Sequence, residues 1–226
     1  MGCWQPFSSL ARSSVCPLQP DGTLLVTGCY DGRGRIWSID GALLHTLSGH
    51  TAPLVSVQWS PSGSYLATAS GAVGAAEWGA AAHRLITAYS PAVDKTTIVW
   101  DASSGAAGQQ FAFHTDAVLD IDWASDETFA SCSSDRTVCV CTLGERAPVR
   151  TFVGHADEVN AIQWSPDKTT LASCSDDGTA RLWSLSPGSA DRGGGCIAVL
   201  VGHSKPIYSV RWAPAVAAGQ GPLLAT

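Results

Sequence analysis

The sequence predicts an all-β fold built from repeated four-stranded units. Segments led by histidine recur along the 226 residues with one fixed internal spacing. The runs between them are short, rich in β-branched and aromatic residues, and closed by Gly, Pro or Asp, which is typical of strands joined by tight turns. Nine tryptophans, 23 glycines and 12 prolines with a single methionine also favour many short elements over a few long helices.

The first repeated pattern is a histidine followed nine residues later by a tryptophan. It begins at His50, His114, His155 and His203, in the segments GHTAPLVSVQW, FHTDAVLDIDW, GHADEVNAIQW and GHSKPIYSVRW. Each segment starts with turn residues and ends in an alternating apolar run. The pattern therefore predicts a loop that leads into a strand, four times over.

The second pattern is an aspartate followed six residues later by a tryptophan. It appears as DGRGRIW at Asp31, DKTTIVW at Asp94 and DGTARLW at Asp177, whereas DRTVCVC at Asp135 has Cys141 in the tryptophan position. The intervals between these aspartates are 63, 41 and 42 residues. The underlying period is therefore about 41 residues, with one longer interval.

The longer interval carries an excess of about 22 residues between Ser70 and Val93, where the other units have a turn of about two residues. Residues 71–92 are therefore predicted to be an insertion into that turn. Two explanations remain open, a functional loop beside the neighbouring turns or a segment added by splicing or annotation. Its alanine-rich stretch from Ala75 to Ile86 predicts a short helix.

A period of 40 to 45 residues with four strands, a Gly-His pair and a Trp-Asp pair at Trp100 is typical of a β-propeller blade. The predicted fold is an incomplete propeller of four-stranded blades, with about four blades and partial ends. Residues 1–20 form an unassigned N-terminal segment, and residues 21–226 form the partial propeller with its insertion at 71–92. The final run LLAT lies inside a strand, so we expect a piece of a larger protein.

These repeats resemble WD-repeat proteins. The runs VDKTTIVWDASSG, FASCSSDRTVCVCTLG, GHADEVNAIQW and LASCSDDGTARLWS resemble the propeller of the transducin β-like family, the F-box-like WD-repeat subunits of corepressor complexes. The resemblance covers about residues 21–70 and 93–226. It implies a non-catalytic, nuclear scaffold whose partners are corepressor and histone deacetylase subunits, with histone tails as peptide ligands. A ubiquitin-ligase substrate adaptor or another WD-repeat scaffold remains the alternative.

In WD-repeat families a Trp, a Ser or Thr, a His and an Asp form a hydrogen-bonded group in each blade. The resemblance assigns these roles to Thr27, Asp31 and Trp37, to His50, Thr68, Asp94 and Trp100, to His114, Ser131 and Asp135, and to His155, Ser173, Asp177 and Trp183. Because the group recurs in every blade, we interpret it as structural, whereas a catalytic site is unique. Cys141 removes one donor, so we expect a shorter chain of hydrogen bonds in the third blade, which makes that blade a candidate weak point.

We expect no catalytic, cofactor or metal site. His45 and His83 lie outside the repeats and have no ligand residue three or four positions away. GRGR at residues 32–35 lies in a turn and strand, not between a strand and a helix where a phosphate loop belongs. Asp120 and Asp122 flank Ile121 at strand spacing and do not stand out as a catalytic pair.

The charge and the cysteine content limit which classes of partner and which cellular compartment are expected. The net charge of −6, with 13 scattered Lys and Arg, argues against direct sequence-specific binding of nucleic acid. Eight cysteines fit either a secreted disulfide scaffold or free thiols, and the lack of a signal peptide or any CxxC pair favours thiols in a reducing compartment. No amphipathic membrane helix is predicted, so proteins and peptides are the expected partners.

In WD-repeat families, partners meet the narrow face through the residue before the repeat Asp and the residues three and five after the repeat His. These positions are Tyr30, Val93, Ser134 and Asp176, then Pro53, Ala117, Glu158 and Pro206, then Val55, Leu119, Asn160 and Tyr208. The candidate partner-binding residues are Tyr30, Val55, Leu119, Ser134, Glu158, Asn160, Asp176 and Tyr208. Glu158 and Asp176 suit a basic side chain of a peptide. A rim that is only solvated is the alternative.

Overall fold

The computed structural model describes residues 17–71, 75–76, 87–88, 94–185, 195–213 and 224–226, in which the regular elements are β-strands. Three sheets have four antiparallel strands in chain order. Blade 2 contains β4 (Leu54–Trp59), β5 (Tyr65–Ser70), β8 (Thr97–Asp101) and β9 (Ala107–Phe111). Blade 3 contains β10 (Val118–Trp123), β11 (Thr128–Ser133), β12 (Thr137–Thr142) and β13 (Arg150–Val153). Blade 4 contains β14 (Val159–Trp164), β15 (Thr170–Ser175), β16 (Thr179–Ser184) and β17 (Cys196–Val201).

The two outer blades are described in part. Blade 1 contains β1 (Leu24–Gly28), β2 (Arg33–Ser38) and β3 (Leu43–Ser48), and an antiparallel bridge joins Leu18 to Leu25. Blade 5 contains β18 (Arg211–Trp212) and β19 (Leu224–Ala225). The innermost strands β4, β10, β14 and β18 contact one another in that order. The predicted all-β architecture, an incomplete propeller, is confirmed.

The extra residues interrupt a turn within blade 2. Strand β5 pairs directly with β8, with Leu66 opposite Trp100, although the chain between them is long. Within that stretch β6 (Ala75–Ala76) pairs with β7 (Thr87–Ala88). The predicted helix is therefore wrong at Ala75–Ala76, and residues 77–86 lie outside the described part of the chain.

Apolar residues collect between blades, not within them. Each of the four core clusters combines one blade with the next. Between blades 3 and 4, for example, Val140 and Phe152 pack with Ile162, Leu171 and Trp183. Burying each such side chain contributes about 1.5–3 kcal/mol. The contacts between sheets therefore stabilise the arc of blades.

Indole hydrogen bonds connect three of the blades to the one before, whereas Trp164 Nε1 of blade 4 is buried and has no hydrogen-bond partner among the described residues. Trp59 Nε1 donates to the Pro17 carbonyl at 2.9 Å, and Trp123 Nε1 donates to the Gln58 carbonyl at 3.1 Å. Trp212 repeats the contact to the Gln163 carbonyl at 3.0 Å. The structure thus places Pro17 where a blade's inner strand ends. The run PLQPDG at 17–22 aligns with QWSPSG at 58–63, but Leu18 stands in the position of Trp59, so the tryptophan pattern does not identify this strand.

Candidate protein-interaction face

The polar group of blade 2 contains all four expected side chains. His50 Nδ1 lies 2.7 Å from Asp94 Oδ2, and its Nε2 lies 2.7 Å from Thr68 Oγ1. Trp100 Nε1 donates to Thr68 Oγ1 at 2.8 Å. Asp94 also accepts from the Thr51 backbone N–H at 2.9 Å. The group therefore ties the loop before β4 to the turn before β8.

Blade 4 repeats this geometry. His155 Nδ1 lies 2.9 Å from Asp177 Oδ2 and its Nε2 lies 2.7 Å from Ser173 Oγ. Trp183 Nε1 donates to Ser173 Oγ at 2.8 Å, and the Ala156 backbone N–H donates to Asp177 at 2.9 Å. Each buried polar atom of the group has a partner, as a buried network requires.

Blade 3 keeps the imidazole contacts without an indole. His114 Nδ1 lies 3.0 Å from Asp135 Oδ2 and its Nε2 lies 2.9 Å from Ser131 Oγ. Cys141 is buried and pairs across the strands with Phe129, in the position where the other blades pair leucine with tryptophan. Blade 3 thus has a phenylalanine in place of the leucine and a smaller cysteine in place of the tryptophan.

A second aromatic fills the rest of that space. In blades 2 and 4 the residue before the histidine is glycine, and a Cβ at Gly49 or Gly154 would lie 3.0 or 3.1 Å from the blade's tryptophan ring. In blade 3 this position is Phe113, which packs with Cys141 in one cluster. Its ring lies 6.0 Å from that of Phe111. Two aromatic residues therefore occupy the volume that the absent tryptophan leaves.

The end blades hold parts of the same group. In blade 1, Trp37 Nε1 donates to Thr27 Oγ1 at 2.9 Å, and no described histidine bonds to Thr27. Asp31 forms an ion pair with Arg35 at 2.7 Å, and the hydrogen bond from Arg35 holds the pKa of Asp31 well below its usual range.

In blade 5 the structure adds a hydroxyl that the sequence analysis did not identify. His203 Nε2 lies 2.7 Å from Thr226 Oγ1, the counterpart of the His155–Ser173 contact. The run LLAT at 223–226 repeats YLAT at 65–68, so the position is recognisable by alignment with Thr68.

The two central histidines differ in ionisation. Burial lowers the pKa of His114, but the interactions with Asp135 and Cys139 together outweigh burial and raise the pKa to about 9. Burial lowers the pKa of His155, and the charge of Arg181 adds to that effect, so Asp177 does not restore it. The residue four positions after the repeat aspartate distinguishes the sites, Cys139 in blade 3 and Arg181 in blade 4.

A repeated irregularity positions one set of candidate contact residues. The pairing of the inner strand shifts register between Leu54 and Ser56, and equivalently around Leu119 and Asn160. The residue five after the histidine is therefore the extra residue of a β-bulge. Bulges redirect side chains, which gives Val55, Leu119 and Asn160 their common position at the start of the inner strand.

The candidate residues differ in accessibility. Tyr30 is 70% and Tyr208 is 60% exposed, whereas Leu119 and Asn160 are 8% and 7% exposed. Leu119 packs into the cluster between blades 3 and 4, so it offers little contact area. Of the others, Pro206 is exposed, Pro53, Val55, Ser134, Glu158 and Asp176 are half-buried, Ala117 is buried, and Val93 lies outside the described residues.

The structure brings the polar candidates of blade 4 together. The Asn160 amide donates to the Asp176 carboxylate and, at 2.9 Å, to the Ile207 carbonyl. The Asp176 backbone N–H donates to the Glu158 carbonyl at 3.0 Å. Asn160 thereby joins two rim loops of blade 4 to the inner strand segment of blade 5, next to Tyr208.

Two carboxylates on β10 hold neighbouring blades. Asp120 accepts from Ser56 Oγ at 3.0 Å and from the Ile162 backbone N–H at 3.2 Å, and burial raises its pKa to about 6. Asp122 accepts from the Trp164 backbone N–H at 2.7 Å. Both carboxylates are engaged in contacts between blades, which is a structural arrangement.

The described residues contain no group of three or more His, Cys, Asp or Glu side chains arranged to hold a metal ion. Their six cysteines are free thiols. Within the same residues no helix has the length and apolar character needed to cross a membrane.

Comparison with known families matches most of the chain. The model described as WD40, "WD domain, G-beta repeat", matches residues 8–38, 41–101, 107–141 and 146–184. Its first match begins ahead of the described residues and includes Pro17 and Leu18. The matched segments contain the polar groups of blades 1 to 4.

Relatives in three kingdoms share parts of this sequence. The F-box-like/WD repeat-containing protein TBL1X of Mus musculus is 44% identical over 118 residues, which are 52% of this chain and 18% of that protein. The WD40 repeat-containing protein HOS15 of Arabidopsis thaliana is 38% identical over 165 residues, 73% of this chain and 23% of its own length. The SIR4-interacting protein SIF2 of Saccharomyces cerevisiae is 28% identical over 207 residues, which are 85% of this chain and 34% of that protein. The chain thus spans 34% or less of the length of each of these relatives.

Proposed function

The chain belongs to the WD40 repeat family, and from that membership we propose that it is a non-catalytic protein-interaction scaffold in a nuclear corepressor complex with a histone deacetylase. The observation that carries the proposal is the recurrence of one polar group in successive blades. A group that holds loop to turn in each blade leaves the rim loops as the variable surface.

The rim of blades 4 and 5 is the part of that surface best suited to a protein partner. Tyr208 is exposed there, beside the half-buried carboxylates of Glu158 and Asp176 and the exposed Asp157. Exposed tyrosine is enriched at protein interfaces, and carboxylates select a basic partner segment. The expected ligand is a basic peptide segment, such as a histone tail or a loop of a corepressor subunit.

The relatives support the nuclear assignment. SIF2 is described as interacting with SIR4, and SWD3 of Saccharomyces cerevisiae, 28% identical over 118 residues, is described as a component of COMPASS. The transducin β-like resemblance supports a deacetylase-containing complex in preference to a ubiquitin ligase. Because this chain spans a small share of each relative, partners and compartment belong to the proposal.

Affinity capture from nuclear extract tests it. We expect the tagged 226-residue chain to retain histone deacetylase activity, and the rim variants Tyr208→Ala and Asp176→Lys to retain several-fold less. Glu127→Lys is the matched control, because Glu127 is exposed in the turn between β10 and β11, at the opposite end of the strands.

Two outcomes contradict the proposal in different ways. Equal capture by the rim variants and the control would remove the rim as the contact. Capture of ubiquitin-ligase subunits without deacetylase activity would replace the corepressor assignment with the adaptor alternative.

A further inference from the structure

Arg181 on β16 occupies a position that blade 1 uses differently. It stands four residues after the repeat aspartate, where blade 1 has Arg35. Arg35 pairs with its own Asp31 at 2.7 Å. Arg181 has Asp177 at the same spacing, but the described residues contain no ion pair between the two. The two arginines therefore differ in their partner, not in their place.

Asp177 is fully engaged elsewhere. One oxygen contacts His155 at 2.9 Å and accepts from the Ala156 backbone N–H, and the other accepts from Thr179 Oγ1 at 2.7 Å. In blade 1 no described histidine competes for Asp31. The histidine thus takes the carboxylate that would otherwise neutralise Arg181.

The guanidinium is left with unused donors. Arg181 Nε is buried and has no hydrogen-bond partner in the described chain. A guanidinium carries five N–H donors in a planar fork, and a buried donor without an acceptor costs about 1–3 kcal/mol. Such an unsatisfied group calls for an acceptor that the described residues do not provide.

The guanidinium lies close to the glycine that precedes His155. A Cβ at Gly154 would lie 2.8 Å from Arg181 Nη1 and 3.1 Å from the Trp183 ring, so a side chain there would push the guanidinium aside. Gly154 precedes His155 in the loop from β13 to β14, at the narrow face between blades 3 and 4. The Arg181 side chain as a whole is half-buried, so part of it reaches the surface.

We propose that Arg181, beside Gly154, is a binding site for an oxyanion, namely the carboxylate of an Asp or Glu side chain of a partner protein. A planar fork of donors matches a carboxylate in a bidentate pair. The uncompensated charge of Arg181 also contributes to the lowered pKa of His155, after burial. The site goes beyond the basic-peptide contact at Glu158 and Asp176 and is tested without that partner.

The test uses the isolated 226-residue chain labelled with ¹⁵N, observed through its arginine Nε–Hε resonances. The probe is acetyl-Gly-Glu-Gly-amide, and acetyl-Gly-Gln-Gly-amide is the uncharged control. We expect a saturable shift of the Arg181 resonance with the glutamate peptide alone. Arg181→Lys assigns the signal, and the paired Arg35 and the exposed Arg136 report non-specific effects.

A pair of glycine variants sharpens the test. Gly154→Ala places a Cβ against Nη1, and we expect binding about tenfold weaker, the equivalent of one charge-assisted hydrogen bond. Gly49→Ala is the matched control, because it crowds Trp100 and Ile98 in blade 2, where Ile98 occupies the position of Arg181. Arg181→Met provides a second loss of the site if Gly154→Ala does not fold.

Three results would overturn the inference: a linear, unsaturated shift, an equal response to the glutamine peptide, or equal loss in both glycine variants. Inorganic phosphate is titrated in parallel. Saturation with phosphate but not with the glutamate peptide would assign the site to phosphoryl groups instead. Neither result affects deacetylase capture, so the two proposals fail separately.

Discussion

Blades 3 and 4 hold the same His–Ser–Asp group in two different packing environments. In blade 4 a tryptophan packs against a leucine and a glycine, whereas in blade 3 a cysteine packs against two phenylalanines. The Trp183 ring stacks on Phe152 at 5.0 Å, and the Phe129 ring meets Phe111 edge to face at 5.0 Å. The comparison shows two ways to fill the space beside the histidine: an indole in blade 4, and a cysteine with two phenylalanines in blade 3.

This comparison bears on the expectation that blade 3 is a candidate weak point. Cys141 is 1% exposed, as is Trp183, so the substitution leaves no opening to solvent at that position. Burial also raises the pKa of the Cys141 thiol, which keeps it protonated. The loss in blade 3 is one hydrogen-bond donor, not a core side chain without replacement.

The largest expected effect comes from making blade 4 resemble blade 3 in part. Trp183→Cys removes the indole without adding a phenylalanine, and we expect a loss of about 3–5 kcal/mol in the free energy of unfolding. Chemical denaturation of the variant measures it.

The triple variant Trp183→Cys, Leu171→Phe, Gly154→Phe copies all three features of blade 3 and should recover part of that loss. A triple variant no more stable than Trp183→Cys would contradict the compensation. Trp37→Cys is the control, since Trp37 is half-buried and its removal should cost less.

The reverse change overfills blade 3. Cys141→Trp forces an indole against Phe129 and Phe113, and we expect destabilisation of about 1–3 kcal/mol in the same denaturation experiment. Adding Phe129→Leu and Phe113→Gly should relieve it. If Cys141→Trp alone were stabilising, the two phenylalanines would not occupy the indole's volume.

The hydroxyl variants measure the indole hydrogen bond itself. Ser173→Ala leaves both Trp183 Nε1 and His155 without their partner, whereas Ser131→Ala affects His114 alone. We expect losses of about 2 and about 1 kcal/mol respectively, at the scale of a buried unsatisfied polar group. Thermal unfolding under identical conditions compares them, and equal losses would show that the indole bond adds nothing.

The comparison between blades 3 and 4 also predicts a difference in pH dependence. The pKa of His114 is raised from 6.5 to about 9, so the stability it contributes is complete below pH 6.5 and is lost as pH rises towards 9. The pKa of Asp135 is held below its usual range by His114, although burial opposes this, so the pair is strongest between about pH 4 and 6.5.

Asp135→Asn should therefore flatten the decline in stability between pH 6.5 and 9. Asp177→Asn is the comparison, because the pKa of His155 is already lowered and the group does not hold its proton in that range. Imidazole NMR titration gives both values, and a His114 pKa at or below that of His155 would reverse the assignment.

The main architecture could be predicted from the period of the sequence repeat and from the spacing of residues within it. A 41-residue repeat predicts four-stranded blades because each turn and each buried face recurs at fixed places. Blade 1 was recognised less completely, because Leu18 replaces the tryptophan that marks the end of an inner strand elsewhere. The helix expected at Ala75 followed local alanine propensity, which strand pairing overrode.

The details of the candidate site were less accessible from sequence. Phe113 and Phe129 are compensating residues only because cross-strand pairing and the loop before His114 bring them to Cys141. The unpaired state of Arg181 depends on a competition for Asp177 that spacing alone does not reveal. The packing at Cys141 and the unpaired state of Arg181 both depend on contacts in the folded chain, and the spacing of one repeat does not show which residues make contact.

The indole contacts between blades give the chain a direction of assembly. Trp59, Trp123 and Trp212 each bind a carbonyl that lies 42, 65 or 49 residues earlier in the sequence. During synthesis, the acceptor therefore leaves the ribosome before its donor does. Each neighbouring blade is complete in the sequence before the donor tryptophan is reached, so we expect the arc to assemble from its N-terminal side during synthesis.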